Sequence, residues 1–92
     1  MGKSTAFMLG FVRDFIEGRM ELWEFELDYD GYINEHFPRM ERENPSLARR
    51  FAAVIDDSVE HARARNLSDS QFRELVSHAY LELMGPETID II

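Results

Sequence analysis

Asp56, Asp57, Glu60 and His61 stand close together, and Asp57 and His61, four residues apart, share a face if the segment is helical, a spacing able to hold a metal ion. A metal site needs three or four converging ligands, so an Asp–His pair on an acidic helix reads first as a solvated face, and no metal is expected. His36 and His78 lie at the edges of apolar stripes, where hydrogen-bonded structural histidines belong. Gly2-Lys3-Ser4-Thr5 is similar to the end of a phosphate-binding loop, but the earlier glycine and the preceding strand are missing. The same start does not suit myristoylation, because Ala6 stands where Ser or Thr is required. Carboxylates are plentiful, yet no nucleophile–base pair or phosphate loop accompanies them. Catalysis is therefore not expected, nor is a cofactor.

The pattern that points furthest is Glu21, Trp23, Glu24, Glu26, Leu27, Asp28, Asp30 and Glu35. On a helical wheel, Glu21, Glu24, Asp28 and Glu35 fall on one side of the apolar stripe, and Glu26 and Asp30 flank the other. Trp23 and Leu27 then point away from the core. An aromatic and an aliphatic side chain four residues apart, bordered by carboxylates on both flanks, have the composition of a binding hot spot for a basic protein. Glu24 and Asp28 at i,i+4 repel by a few tenths of a kcal/mol in a helix, a penalty that an interaction role would explain. The competing reading is a solvated acidic face, with Trp23 tucked under the segment around Met40.

Four helices have to position these groups. Phe7, Phe11 and Phe15 recur every four residues beside Met8, Val12 and Ile16, so residues 4–17 read as an amphipathic helix capped by Ser4 and ended by Gly18. A second helix is expected from Glu21 to His36, with Leu22, Phe25, Tyr29, Tyr32, Ile33 and His36 inward and Pro38 as its breaker. The alternation of Trp23, Phe25, Leu27 and Tyr29 with acidic residues, followed by Asp30-Gly31, also fits a hairpin. Helix is favoured, because the stripe continues beyond Gly31. Arg39 to Asn44 reads as a connector with at most a turn of helix around Met40. Asn44-Pro45 starts a third helix, with Leu47, Phe51, Val54, Ile55, Ser58 and Ala62 inward and its end near Arg65-Asn66. Ser68 and Gln71 form a capping box for a fourth, with Phe72, Leu75, Val76, Ala79, Tyr80 and Leu83 inward and Gly85-Pro86 as the stop. Ile89, Ile91 and Ile92 are expected to lie against the bundle. The fold class is all-α, a small antiparallel four-helix bundle forming one helical domain over residues 1–92.

The chain has 92 residues, 18 acidic against 10 basic side chains and no cysteine, giving a net charge of −8. The acidity is concentrated: residues 21–43 hold eight acidic side chains against Arg39 and Arg42. Such a surface argues against direct nucleic-acid binding, which needs clustered Lys and Arg. Without cysteine there is no disulfide framework, thiol chemistry or Cys-based zinc site. The longest uncharged N-terminal stretch, Ser4 to Val12, is far shorter than the ~18 apolar residues of a membrane span. A cytoplasmic location without a membrane partner is expected.

Phe11-Val12-Arg13-Asp14-Phe15-Ile16-Glu17-Gly18, then Met20, Leu22, Phe25 and Glu26, and finally Leu67-Ser68-Asp69 with Phe72, Leu75 and Val76 carry a resemblance. In this pattern, over roughly residues 7–84, the chain resembles the bacterial self-protective colicin-like immunity proteins of the colicin D immunity type. Glu21 departs from it, standing where that group has a small capping residue, and Gly31 interrupts the second helix. The resemblance implies an immunity protein that binds a toxin's nuclease domain, often a tRNA-cleaving one, and blocks its active site, with acidic side chains standing in for RNA phosphates. The expected partner is therefore a basic protein, a toxin nuclease domain. The alternatives are a helical adaptor or regulatory subunit binding another protein through Trp23 and the apolar tail, and an acidic nucleic-acid mimic acting on some other DNA- or RNA-binding protein. Oligomeric state is left open by the sequence.

Overall fold

The computed structural model describes residues 1–85, and every regular element among them is helical. The helices are α1 (Lys3–Ile16), α2 (Leu22–Glu43), α3 (Pro45–Phe51), a π-helical segment (Ala52–Asp56), α4 (Asp57–Ala64) and α5 (Asp69–Met84). Because α3, the π segment and α4 are continuous, there are four helical stretches among the described residues. No helix among them is long and apolar enough to cross a membrane. The expectation for Ile89, Ile91 and Ile92 lies outside the described residues. Contacts divide the chain into two compact units, Met1–Arg49 and Arg50–Ile92, the second described through Gly85.

In the first unit α2 runs back along α1. Phe15 and Phe11 stack on Phe25, Phe7 meets Tyr32 and His36, and Ser4 reaches His36, so partners on α2 advance as those on α1 retreat. The turn between them is set by Gly18. Its φ of +83° is a left-handed conformation that favours glycine. Gly18 N–H donates to the Phe15 carbonyl and Arg19 N–H to that of Asp14, the paired bonds of a Schellman motif.

Two expectations about this unit are corrected. Ser4 does not cap α1, which begins at Lys3 after Gly2. The Glu43 carboxylate caps it from the far end of α2, accepting from Ser4 N–H (3.0 Å), Thr5 N–H (2.8 Å) and the Thr5 hydroxyl (2.6 Å). An anion thus sits at the positive end of α1, and a side chain at Gly2 would collide with it. Nor does Pro38 break α2, which continues to Glu43. Proline cannot donate to the carbonyl four residues back, Asn34, but Asn34 and Pro38 are both exposed, where water can serve that carbonyl. Fully buried Met40 and the three bonds to Glu43 hold the turns beyond.

Glu43 links this arrangement to pH. The Thr5 hydroxyl, then the Thr5 N–H, and further the Ser4 N–H and His36 hold its carboxyl below the ordinary 4.5, outweighing the opposing effect of desolvation. A folded-state value below the unfolded one gives stability that is present above the ordinary carboxylate range and lost as pH falls through the lower, folded value. Acidification from about pH 5 downward is therefore expected to lower the melting temperature more in the wild type than in Glu43→Gln. Thr5→Val, which deletes the buried hydroxyl, is expected to lose about 1–2 kcal/mol at neutral pH. Thermal melts at neutral and acidic pH check both.

Near the end of the first unit, Asn44 Oδ1 accepts from Leu47 N–H, so Asn44-Pro45 starts α3 as expected. The helix does not stay α-helical. Through Ala52–Asp56 it is a π-helix, whose bonds close five residues apart, and the inward position after Ile55 is Val59 in place of the expected Ser58. The Ser58 hydroxyl returns instead to the Val54 carbonyl at 2.8 Å. Leu47 and Val54 are half-buried, while the residue following each, Ala48 and Ile55, is fully buried. The expected box starts α5: Gln71 N–H donates to the Ser68 hydroxyl, and Ser68 N–H to the Gln71 side chain. Phe72, Val76, Ala79 and Leu83 of α5 are buried, while Leu75 and Tyr80 are half-buried. Arg50 donates to the Leu83 carbonyl at 2.7 Å, satisfying one open acceptor in the last turn of α5.

Candidate protein-binding face

The face is built on α2, and the helical period decides which side chains it shows. Phe25 and Tyr29 are fully buried and Tyr32, Ile33 and His36 half-buried. Residues on the opposite side project outward. Trp23 is 64% exposed and Leu27 72%. Segment 23–32 is helical throughout, so the hairpin alternative is not adopted. Nor is Trp23 tucked against Met40, which is fully buried while Trp23 is open. One turn on from Leu27, the space over Gly31 is open, and a Cβ there would meet nothing within 4 Å.

The carboxylates divide as the wheel places them. Asp28 and Glu35 are exposed on one flank of the ridge and Asp30 on the other, with Glu24 and Glu26 half-buried. Glu21, also exposed, is the residue preceding the first turn of α2. Its N–H donates to the Glu24 carboxylate at 3.1 Å. Glu24 therefore has a local task at the positive end of the helix, which the repulsion from Asp28 does not override. Asp28 has no hydrogen bond or ion pair among the described residues, so its charge is fully available to a partner.

A groove of about 420 Å³ adjoins this face, lined by Phe7, Gly10, Phe11, Asp14, Met20 and Tyr32 together with Ala6 and Asp28. Apart from Asp28, its residues are absent from the expected site. Phe7 belongs to its rim: 41% exposed, it meets Tyr32 edge-on (centroids 4.8 Å apart) and stacks on His36 (4.3 Å), in place of the fully inward position expected from its spacing. The sequence signal for the groove is Ala6, Gly10 and Asp14 at four-residue intervals, a line of small side chains and one carboxylate beside the phenylalanine stripe.

Elsewhere, Asp57 and His61 are exposed, and no group of three His, Cys, Asp or Glu among the described residues is arranged to hold a metal ion. A shallower depression lies along Leu67, Gln71, Glu74, Leu75 and His78. The face on α2 thus sets an apolar ridge beside the carboxylate of Asp28, a combination suited to holding a basic surface by contact and charge together. No family of proteins, curated protein or solved structure matches this chain.

Proposed function

We propose that this protein is an immunity-type inhibitor: a non-catalytic, cofactor-free cytoplasmic protein that binds the basic nuclease domain of a bacterial toxin and occludes its active site. The observation that supports this reading is the outward pair Trp23 and Leu27 on a helix segment whose residues 21–43 carry eight acidic side chains against two basic ones. A nuclease presents Lys and Arg where RNA phosphates dock. Carboxylates at Asp28, Asp30 and Glu35 would occupy those cations, speed encounter through long-range attraction and exclude the substrate. Trp23, seated against an apolar spot on the toxin, would slow dissociation.

The test is protection of cells that express a toxin encoded beside this protein. Because Glu24 serves the first turn of α2, the informative reversal is Asp28→Lys with Glu35→Lys, both exposed. Loss of protection with an unchanged helical circular-dichroism spectrum is the expected result. Full protection by the double variant would overturn the acidic mechanism. The adaptor alternative uses Trp23 together with the apolar tail and gives the carboxylates no part. Binding that does not weaken with added salt would favour it.

A further inference from the structure

Gly10 lies in the interior of α1, where glycine is unfavourable by about 1 kcal/mol relative to alanine. Its missing side chain opens the groove: a Cβ at Gly10 would have no neighbour within 4 Å. Phe7, Phe11 and Tyr32 give the groove aromatic walls, with Tyr32 set edge-on to both phenylalanines at 4.8 and 4.9 Å. Among the described residues Asp14 and Asp28 are its charged members, and no Lys or Arg lines it. Asp14 is partly compensated by Arg19, 3.6 Å away and also paired with Glu17. Asp28 has no such partner among the described residues.

Rings and carboxylates in one depression select the occupant. An aliphatic side chain would cover the rings but strip water from Asp28 without replacing it. A lysine would meet the charge as a compact, strongly hydrated ammonium. An arginine satisfies both, because its planar guanidinium stacks on aromatic faces and donates to carboxylates through several N–H groups. We propose that the groove receives an arginine side chain of the basic protein partner, its guanidinium held by Asp28 and Asp14 and its stem laid along Phe7 and Tyr32. This deepens the inhibitor reading and rests on it for the partner's identity: the ridge would anchor the toxin, and the groove would capture one of its active-site cations.

The experiment uses the full chain and small probes, so it needs no toxin. In a nuclear magnetic resonance titration, Nα-acetyl-arginine amide is expected to shift the backbone amides of Gly10, Phe11 and Tyr32 saturably, with a dissociation constant on the order of millimolar. Nα-acetyl-lysine amide should bind about threefold or more weakly, and Nα-acetyl-norleucine amide should give no saturable shift. Asp28→Asn should weaken the arginine probe about three- to tenfold. Gly10→Leu, which fills the groove from a helical position, should abolish binding while circular dichroism stays unchanged. Several outcomes would overturn the inference: no saturable shifts with the arginine probe, equal binding of the norleucine probe, or binding that survives Gly10→Leu. Tighter binding of free L-arginine than of the blocked amide would also overturn it, marking a site for the free amino acid. The two readings fail separately. Probe binding without cellular protection by the wild type removes the inhibitor reading and leaves the groove's preference standing. Full protection by Gly10→Leu, with protection lost in the Asp28→Lys, Glu35→Lys variant, removes the groove and keeps the inhibitor.

Discussion

Trp23→Ala is expected to weaken binding of the proposed basic partner by about 2–4 kcal/mol, roughly 30- to 1,000-fold in dissociation constant, while leaving the free protein's stability within about 0.5 kcal/mol. The asymmetry follows from exposure. With 64% of its surface open, Trp23 contributes little to the fold, so its removal leaves no cavity. In a complex the exposed part, on the order of 150 Å², would be removed from water, worth roughly 4 kcal/mol at about 25 cal/mol/Å² before ordering and desolvation costs are deducted. Kinetics should separate it from the carboxylates. Loss of an apolar anchor raises the dissociation rate and leaves the salt dependence of association intact, whereas Asp28→Lys slows association and flattens its salt dependence. Surface plasmon resonance at two salt concentrations reads both. Unchanged affinity in Trp23→Ala would move the contact off this ridge.

Local signals in the sequence were sufficient wherever the stabilising partner lies within a few residues. Gly18 ends α1 in a left-handed turn, Asn44-Pro45 opens α3, and Ser68 with Gln71 opens α5, each through bonds spanning three to five residues. The exposure of Trp23 and Leu27 was legible for the same reason, since it depends only on the period of one helix. What could not be read depends on distant groups. Pro38 marks a break by every local rule, yet α2 continues because its last turn is bonded to Ser4 and Thr5, 39 and 38 residues away. The cap of α1 was sought at Ser4 because capping is normally local, and here it comes from Glu43. The buried series of the third stretch, Ala48, Phe51, Ile55, Val59 and Ala62, keeps the ordinary spacing of three and four, and the face expected through Leu47, Val54 and Ser58 was centred to one side of it. The groove escaped notice because it exists only where Gly10 of α1 faces Tyr32 and Asp28 of α2, and no single stripe includes all three.

Phe25→Ala, two residues from Trp23 on the opposite side of the same helix, is expected to have the reverse effect: a loss of about 3–5 kcal/mol of stability, a large share of the roughly 5–15 kcal/mol that holds a domain together. The Phe25 ring is fully buried, stacks on Phe15 at 4.1 Å and Phe11 at 5.0 Å, and touches Tyr29 at 5.3 Å. Two of these aromatic contacts join α2 to α1 near their turn. Each kcal/mol lost lowers the melting temperature by about 4–8 °C in a domain of this size, a shift plain in a thermal melt followed by circular dichroism. Phe25→Leu keeps most of the volume and loses the stacking, so a smaller loss of about 1–2 kcal/mol is expected. The order Phe25→Ala, then Phe25→Leu, then Trp23→Ala in stability, with Trp23→Ala alone impairing partner binding at temperatures where all three variants are folded, would separate the side of α2 that builds the fold from the side that reads the partner. If Phe25→Ala melted like the wild type, the aromatic ladder would not be what fixes α2 against α1, and the outward direction of Trp23 would need another cause.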